Sequence, residues 1–204
     1  MDRSRIRELH YITDIANVSS ILDHGILSHR LVKRRIAAHV TVASVEVQAI
    51  RAVKRIWVGH SSRALHDYAN LYVHARNAML FQLVMSHEGD LIVLAVDPRV
   101  LDVEGVIVAD RNAAATIAKF DPAAEGVEQL DEGAVFATWW NDSEDAKQRR
   151  MAEVLVPDRV PPDLVLYAHV PDSAAAHRLL GQLGGRKLPI RVNRPLFFVD
   201  RSRQ

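Results

Sequence analysis

Short apolar runs set the tightest limit on how this chain can fold. Residues 91–96, 106–109, 153–156 and 164–170 are rich in β-branched side chains and bounded by Asp, Pro or Gly, which is the texture of buried strands. Residues 6–12 suggest a first strand, and Arg191-Val192 and 196–199 suggest closing ones. Between these runs the period becomes helical. Thr13 or Asp14 can cap a helix striped by Ile15, Val18, Ile21 and Leu22, with Gly25 placed to end it. Ser44 can cap a second, where Ala49, Ile50, Val53, Ile56 and Trp57 recur at helical spacing, and residues 59–63 break that pattern. A third helix is expected over 77–86. A last one starts at Ser173, with Ala176, Leu179, Leu180 and Leu183 buried and Gly184-Gly185 at its end. No repeat or low-complexity linker interrupts the pattern. The expectation is one α+β domain over residues 1–204 with a mixed, mostly antiparallel sheet.

Composition narrows the function classes. Apolar residues make up 49% and charged residues 25%, which is globular chemistry rather than disorder. There is no run of eighteen apolar residues to span a bilayer, and residues 1–11 lack the apolar segment of a secretory signal, so a cytoplasmic protein without a membrane partner is expected. Without cysteine there is no thiolate site, and the ten histidines show no H-E-x-x-H spacing, so no metal is expected. Net charge is +1, but it is unevenly spread. Basic clusters stand at Lys33-Arg34-Arg35, Lys54-Arg55 and 147–150, and acids gather over 121–132 and 142–145. On composition alone each basic cluster is a solvated face more often than a phosphate patch.

The chemistry concentrates in residues 139–157, where Trp139-Trp140-Asn141-Asp142 leads through a basic run to Glu153 at the start of a strand. Alternation puts Ala152, Val154 and Val156 on one face, and Glu153 and Leu155 on the other. A carboxylate there is either presented to a cleft or left at a strand edge in solvent. Residues 112–145 form a long connection, and connections of that length are usually lids or binding loops.

Four segments in order resemble the DarT family of ADP-ribosyltransferases. His10-Tyr11-Ile12-Thr13-Asp14 with Gly25-Ile26-Leu27-Ser28 resembles its opening strand and helix, and Gln48-Ala49-Ile50-Arg51 its arginine-bearing helix. Leu65-His66-Asp67-Tyr68 through Arg76-Asn77-Ala78 resembles its central motif, and 139–157 its closing signature. The resemblance implies mostly antiparallel sheets around an NAD cleft and a substrate loop over about 112–152. It implies transfer of ADP-ribose from NAD to thymine or guanine in single-stranded DNA by a toxin countered by a macrodomain antitoxin. RNA or protein acceptors, or a silent nucleic-acid-binding module, are the alternatives.

Under that resemblance Glu153 and Arg51 are catalytic. Tyr11, Ile12, Thr13, Ser20, Ser28 and Arg51 bind NAD, while Arg76, Asn112, Trp139, Lys147, Arg149 and Arg150 bind nucleic acid. Glu153 would meet the charge that develops when a glycosidic bond breaks. Arg51 would pair with pyrophosphate or stabilise a base anion, unless it is a solvated helix-face residue. Of Trp139 and Trp140, which could stack unpaired bases, one is the better candidate for a core anchor. The chain departs from the family in the order His10-Tyr11, in Asn112 where many members carry His, and in lacking both prolines of the central motif.

Overall fold

A computed structural model describes residues 1–36, 38–58, 60–87 and 90–199, together with the backbone but not the side chain of Ser61. The elements in chain order are β1 (Leu9–Asp14), α1 (Val18–His24), β2 (Ile26–Leu27), α2 (His29–Arg35), α3 (Val45–Val53), β3 (Arg55–Val58), β4 (Ser61–Ala64), β5 (Tyr68–Tyr72), α4 (Ala78–Ser86) and β6 (Leu91–Val96). They continue with β7 (Ile107–Ala109), β8 (Phe120–Pro122), α5 (Ala123–Gln129), α6 (Glu132–Val135), α7 (Glu144–Arg150), β9 (Glu153–Pro157), β10 (Arg159–Val160), β11 (Val165–Val170), α8 (Ser173–Gln182) and β12 (Ile190–Val192). The main sheet runs β12-β11-β6-β1-β5-β9-β7-β8, and only the β11–β12 pair is parallel. Thus the fold is α+β with a mostly antiparallel sheet, as the strand texture predicts.

The sheet is not evenly zipped. β1 pairs with β6 at six positions but with β5 at one, His10 opposite Tyr72. It therefore opens into two halves along the β1–β5 seam. One face packs on α1 and α8 through Leu9, Leu71, Leu94, Val154 and Val170, which carry the larger core. The opposite face carries Ile12, Tyr72 and the buried Glu153, and Ile12 and Tyr72 border a cleft at the seam. Gly25, at φ +86°, ends α1 where the chain passes against β10. A Cβ there would stand 2.1 Å from the Val160 carbonyl oxygen, so no other residue fits without moving backbone.

Several local expectations are corrected. The last helix is capped by Asp172, which accepts from Ala175 N–H, and it buries Ala175 while Leu180 is exposed. The closing strand expected over 196–199 is absent among the described residues: 194–197 form a 3-10 turn, in which the Asn193 side chain accepts Leu196 N–H and the Phe198 N–H turns back to the carbonyls of Arg194 and Pro195. Ile56 and Trp57 belong to the β3–β4 hairpin, past the end of α3. The long connection is not bare loop either: it holds β8, α5, α6 and α7.

Candidate active site: a cleft over the seam of the sheet

Above the β1–β5 seam lies a cleft of about 930 Å³. Tyr11, Ile12 and Thr13 enter it from β1, and Tyr68, Asn70 and Tyr72 from β5. Asn17 pins the connection between α2 and α3 across the opening, accepting Val40 N–H at 2.9 Å and donating to the Val40 carbonyl at 2.8 Å.

Glu153 is fixed before its side chain makes any contact. Its backbone lies between Tyr72 of β5 and Ala109 of β7, and alternation sends Ala152 and Val154 into the core and Glu153 to the cleft side. The side chain is wholly buried. Its Oε1 accepts Ala113 N–H at 2.9 Å, and both oxygens accept from Arg51 Nη1, at 3.2 and 3.1 Å. A buried carboxylate is stable only when so paired.

Arg51 reaches it by turning α3 inside out. The helix leaves Val45, Ile50 and Val53 exposed, while Val47, Gln48 and Arg51 line the cleft and Arg51 is only 6% exposed. The amphipathic stripe read from the sequence thus faces solvent. Arg51 shows Glu153 a single nitrogen, and its Nε and Nη2 have no hydrogen bond among the described residues. Those two donors remain for an anion in the cleft.

Gln48 and His66, which the sequence reading did not single out, extend this wall. His66 Nε2 lies 3.0 Å from Gln48 Oε1, and its ring sits 4.2 Å from that of His29. Burial, then the charges of His29, Arg51 and Lys33, bring His66 down to about 4, so its imidazole is neutral at neutral pH. The unfolded chain, with an ordinary histidine pKa of about 6.5, takes up this proton first. The associated stability is therefore complete above about pH 6.5 and is lost as pH falls towards 4. His66→Gln is expected to flatten the fall of Tm with acid across that window. An NMR titration of His66 with its midpoint near 6.5 would contradict this.

Of the residues expected to bind NAD, Tyr11, Ile12, Thr13, Ser20 and Arg51 line the cleft. Ser28 does not: it is fully buried, and its Oγ caps α2 at 3.4 Å from Leu31 N. Tyr11 is presented to the cleft, whereas His10 lies in a separate cavity. Asn112 and Lys147 also line the cleft. Trp139 is 52% exposed, and Trp140 is the core anchor, packed among Phe198, Leu196 and Met151. Arg149 pairs with Asp145 at 2.7 Å, and the Arg76 Nε–H donates to the Pro195 carbonyl at 2.9 Å while its guanidinium lies over Phe198. Arg150 is not a phosphate ligand. It is 2% exposed and donates to the carbonyls of Arg76 and Val135, tying α6 to the connection between β5 and α4. Among the described residues no metal-holding cluster of His, Asp or Glu lies in this cleft, and no helix is long and apolar enough to cross a membrane.

A sheet parted along one seam, with an arginine and a strand-borne glutamate paired beneath the opening, is the architecture of an ADP-ribosyltransferase. The sequence profile described as "ssDNA thymidine ADP-ribosyltransferase, DarT" matches residues 10–198, and the chain belongs to this family. It is 30% identical over 210 residues to the DNA ADP-ribosyl transferase-DNA ADP-ribosyl glycohydrolase fusion protein of Thermosipho africanus strain H17ap60334. The match covers 98% of this chain and 51% of that protein, so the chain spans about half the relative's length. A DNA ADP-ribosyl transferase of Thermus aquaticus strain ATCC BAA-2747 / Y51MC23 is 29% identical over 205 residues, 95% of this chain and 90% of that protein. The fold is shared with Thermus sp. 2.9 DarT solved with ADP-ribosylated ssDNA, at TM-score 0.83, 21% identity, and coverage of 95% of this chain and 97% of that one.

Proposed function

We propose that this chain transfers ADP-ribose from NAD to a base of single-stranded DNA, thymine before guanine, and releases nicotinamide. The observation that carries the proposal is the meeting of Arg51 and Glu153, 102 residues apart in sequence, beneath a cleft large enough for a dinucleotide. The cleft suits NAD chemically. Arg51 Nε and Nη2 offer charged donors to the pyrophosphate, Thr13 and Ser20 offer hydroxyls, and Tyr11 and Tyr72 offer aromatic surface. Glu153 places a full negative charge where positive charge develops as the bond to nicotinamide breaks. Burial, and then the Glu153 carboxylate, raise the Tyr72 phenol above its usual range, so it stays protonated beside that charge.

Lys147 on α7 lines the cleft, and Arg149 on the same helix and the exposed Trp139 suit phosphates and an unstacked base. The toxin role, with a macrodomain hydrolase as antidote, is supported by the Thermosipho africanus relative, in which the transferase is fused to a DNA ADP-ribosyl glycohydrolase. Mass spectrometry of an oligonucleotide panel incubated with the protein and NAD tests the acceptor. Single strands containing thymine are expected to gain one ADP-ribose, and the same sequences in duplex little or none, because the base must leave its stack. Labelling of RNA or protein alone would overturn this reading.

A further inference from the structure

The cavity that takes His10 is separate from the cleft, and the proposed transferase chemistry uses none of its polar groups. Its volume is about 670 Å³. Three adjacent strands build its floor. His10 of β1 stands opposite Ala95 of β6, and Ala95 stands opposite Tyr167 of β11. The methyl of Ala95 leaves a hollow between two large polar residues. His169, two positions along β11, is on the same face as Tyr167.

Glu8, from the turn before β1, reaches into this hollow. Its Oε1 lies 3.0 Å from His10 Nε2 and 3.2 Å from His169 Nε2, and its Oε2 accepts from the Tyr167 hydroxyl. One donor atom from each of Glu8, His10 and His169 lies within 4.8 Å of the others. Ligands about 2.0–2.2 Å from one ion stand roughly 3–3.6 Å apart, so little movement would gather all three around a metal. Both histidines turn Nε2 to the carboxylate; behind them, Asn193 Nδ2 lies 3.3 Å from His169 Nδ1, and His10, 8% exposed, has no Nδ1 partner among the described residues. The cavity also leaves room for water ligands and a path of entry.

We propose that Glu8, His10 and His169 form a binding site for a divalent transition-metal ion of the zinc class, with the Tyr167 oxygen close enough to join. Two imidazoles and a carboxylate match borderline-soft ions and mismatch Mg²⁺ or Ca²⁺, which take oxygen sets. Bound there, the ion would clamp the segment before β1 to β11 across β6. The sequence hid the site because Glu8 and His10 are two residues apart while His169 lies far along the chain. Only the β11-β6-β1 order unites them.

The test is calorimetric titration of EDTA-dialysed full-length protein with Zn²⁺ alone, paired with melting curves and metal analysis. One tight equivalent per chain is expected, and at about a hundred times Kd the Tm should rise about 5–10 °C. Glu8→Gln and His169→Ala should each weaken binding by about 100-fold or more, whereas His177→Ala, at an exposed histidine outside the cavity, should not. Should a variant fail to fold, Co²⁺ added to the unaltered protein gives a second readout: visible bands of nitrogen and oxygen ligation, displaced by one equivalent of Zn²⁺. Absence of a stoichiometric Zn²⁺ site, or equal affinity in folded Glu8→Gln and His169→Ala, would overturn the proposal.

Discussion

Glu153→Gln is expected to lower the transfer rate about 10²–10³-fold while leaving a folded protein. The substitution keeps the size of the side chain. Oε1 accepts both Ala113 N–H and one Arg51 bond, so a glutamine carbonyl in that position keeps both contacts. The negative charge is lost, together with the second Arg51 bond, because the amide NH2 that replaces Oε2 cannot accept it. Glu153→Ala is a poorer test. The side chain is wholly buried, and its removal takes away the counter-charge of Arg51, every acceptor that Arg51 and Ala113 use there, and the volume between them, which together cost about 3–5 kcal/mol. The alanine variant is therefore expected to melt about 10 °C lower and to lose activity for two reasons at once. Rates with NAD and a thymine oligonucleotide, measured beside melting curves, distinguish the cases. A folded glutamine variant that transfers at near the original rate would remove Glu153 from the chemistry.

Arg51→Ala is expected to abolish transfer at every salt concentration and at saturating DNA. Its loss removes a cation from within the cleft, and neither mobile ions nor mass action replace a positioned donor. It also strands the Glu153 carboxylate, so the single variant should lose about 3–5 kcal/mol of stability. The double variant Arg51→Met with Glu153→Gln should regain much of that loss, because no buried charge is left unpaired. Lys147→Ala and Arg149→Ala serve as the contrast. Each should weaken oligonucleotide binding and flatten its log–log salt dependence by about 0.7, and excess DNA should restore most of their turnover. Arg150→Ala should behave like neither, lowering Tm because two buried carbonyls lose their donor. If saturating DNA fully rescued Arg51→Ala, Arg51 would be a binding residue and Glu153 would stand alone.

Much of the scaffold was legible in the sequence because backbone geometry imposes its own period. The alternation of Ala152, Val154 and Val156 against Glu153 and Leu155 places the first three in the main core, as observed. Ser44 caps the helix that follows it, accepting a backbone N–H three residues on, and Gly25 ends the first helix. These features depend on neighbours within a turn or a strand pair, so local chemistry determines them.

What only the tertiary structure decided is which of two physically reasonable alternatives each residue takes. Arg51 sits beside an apolar stripe and reads locally as solvated. Its partner is 102 residues away, and the meeting of the two charges turns α3 so that Val45, Ile50 and Val53 face water. Arg149 and Arg150 are neighbours in one basic run. Yet α7 leaves one partly exposed and buries the other against two carbonyls. Trp139 and Trp140 divide in the same way between surface and core. The physical reason is common to all three. Periodicity is a property of the backbone over a few residues, whereas burial of a charge or a large ring depends on what lies opposite, and strand order alone determines that.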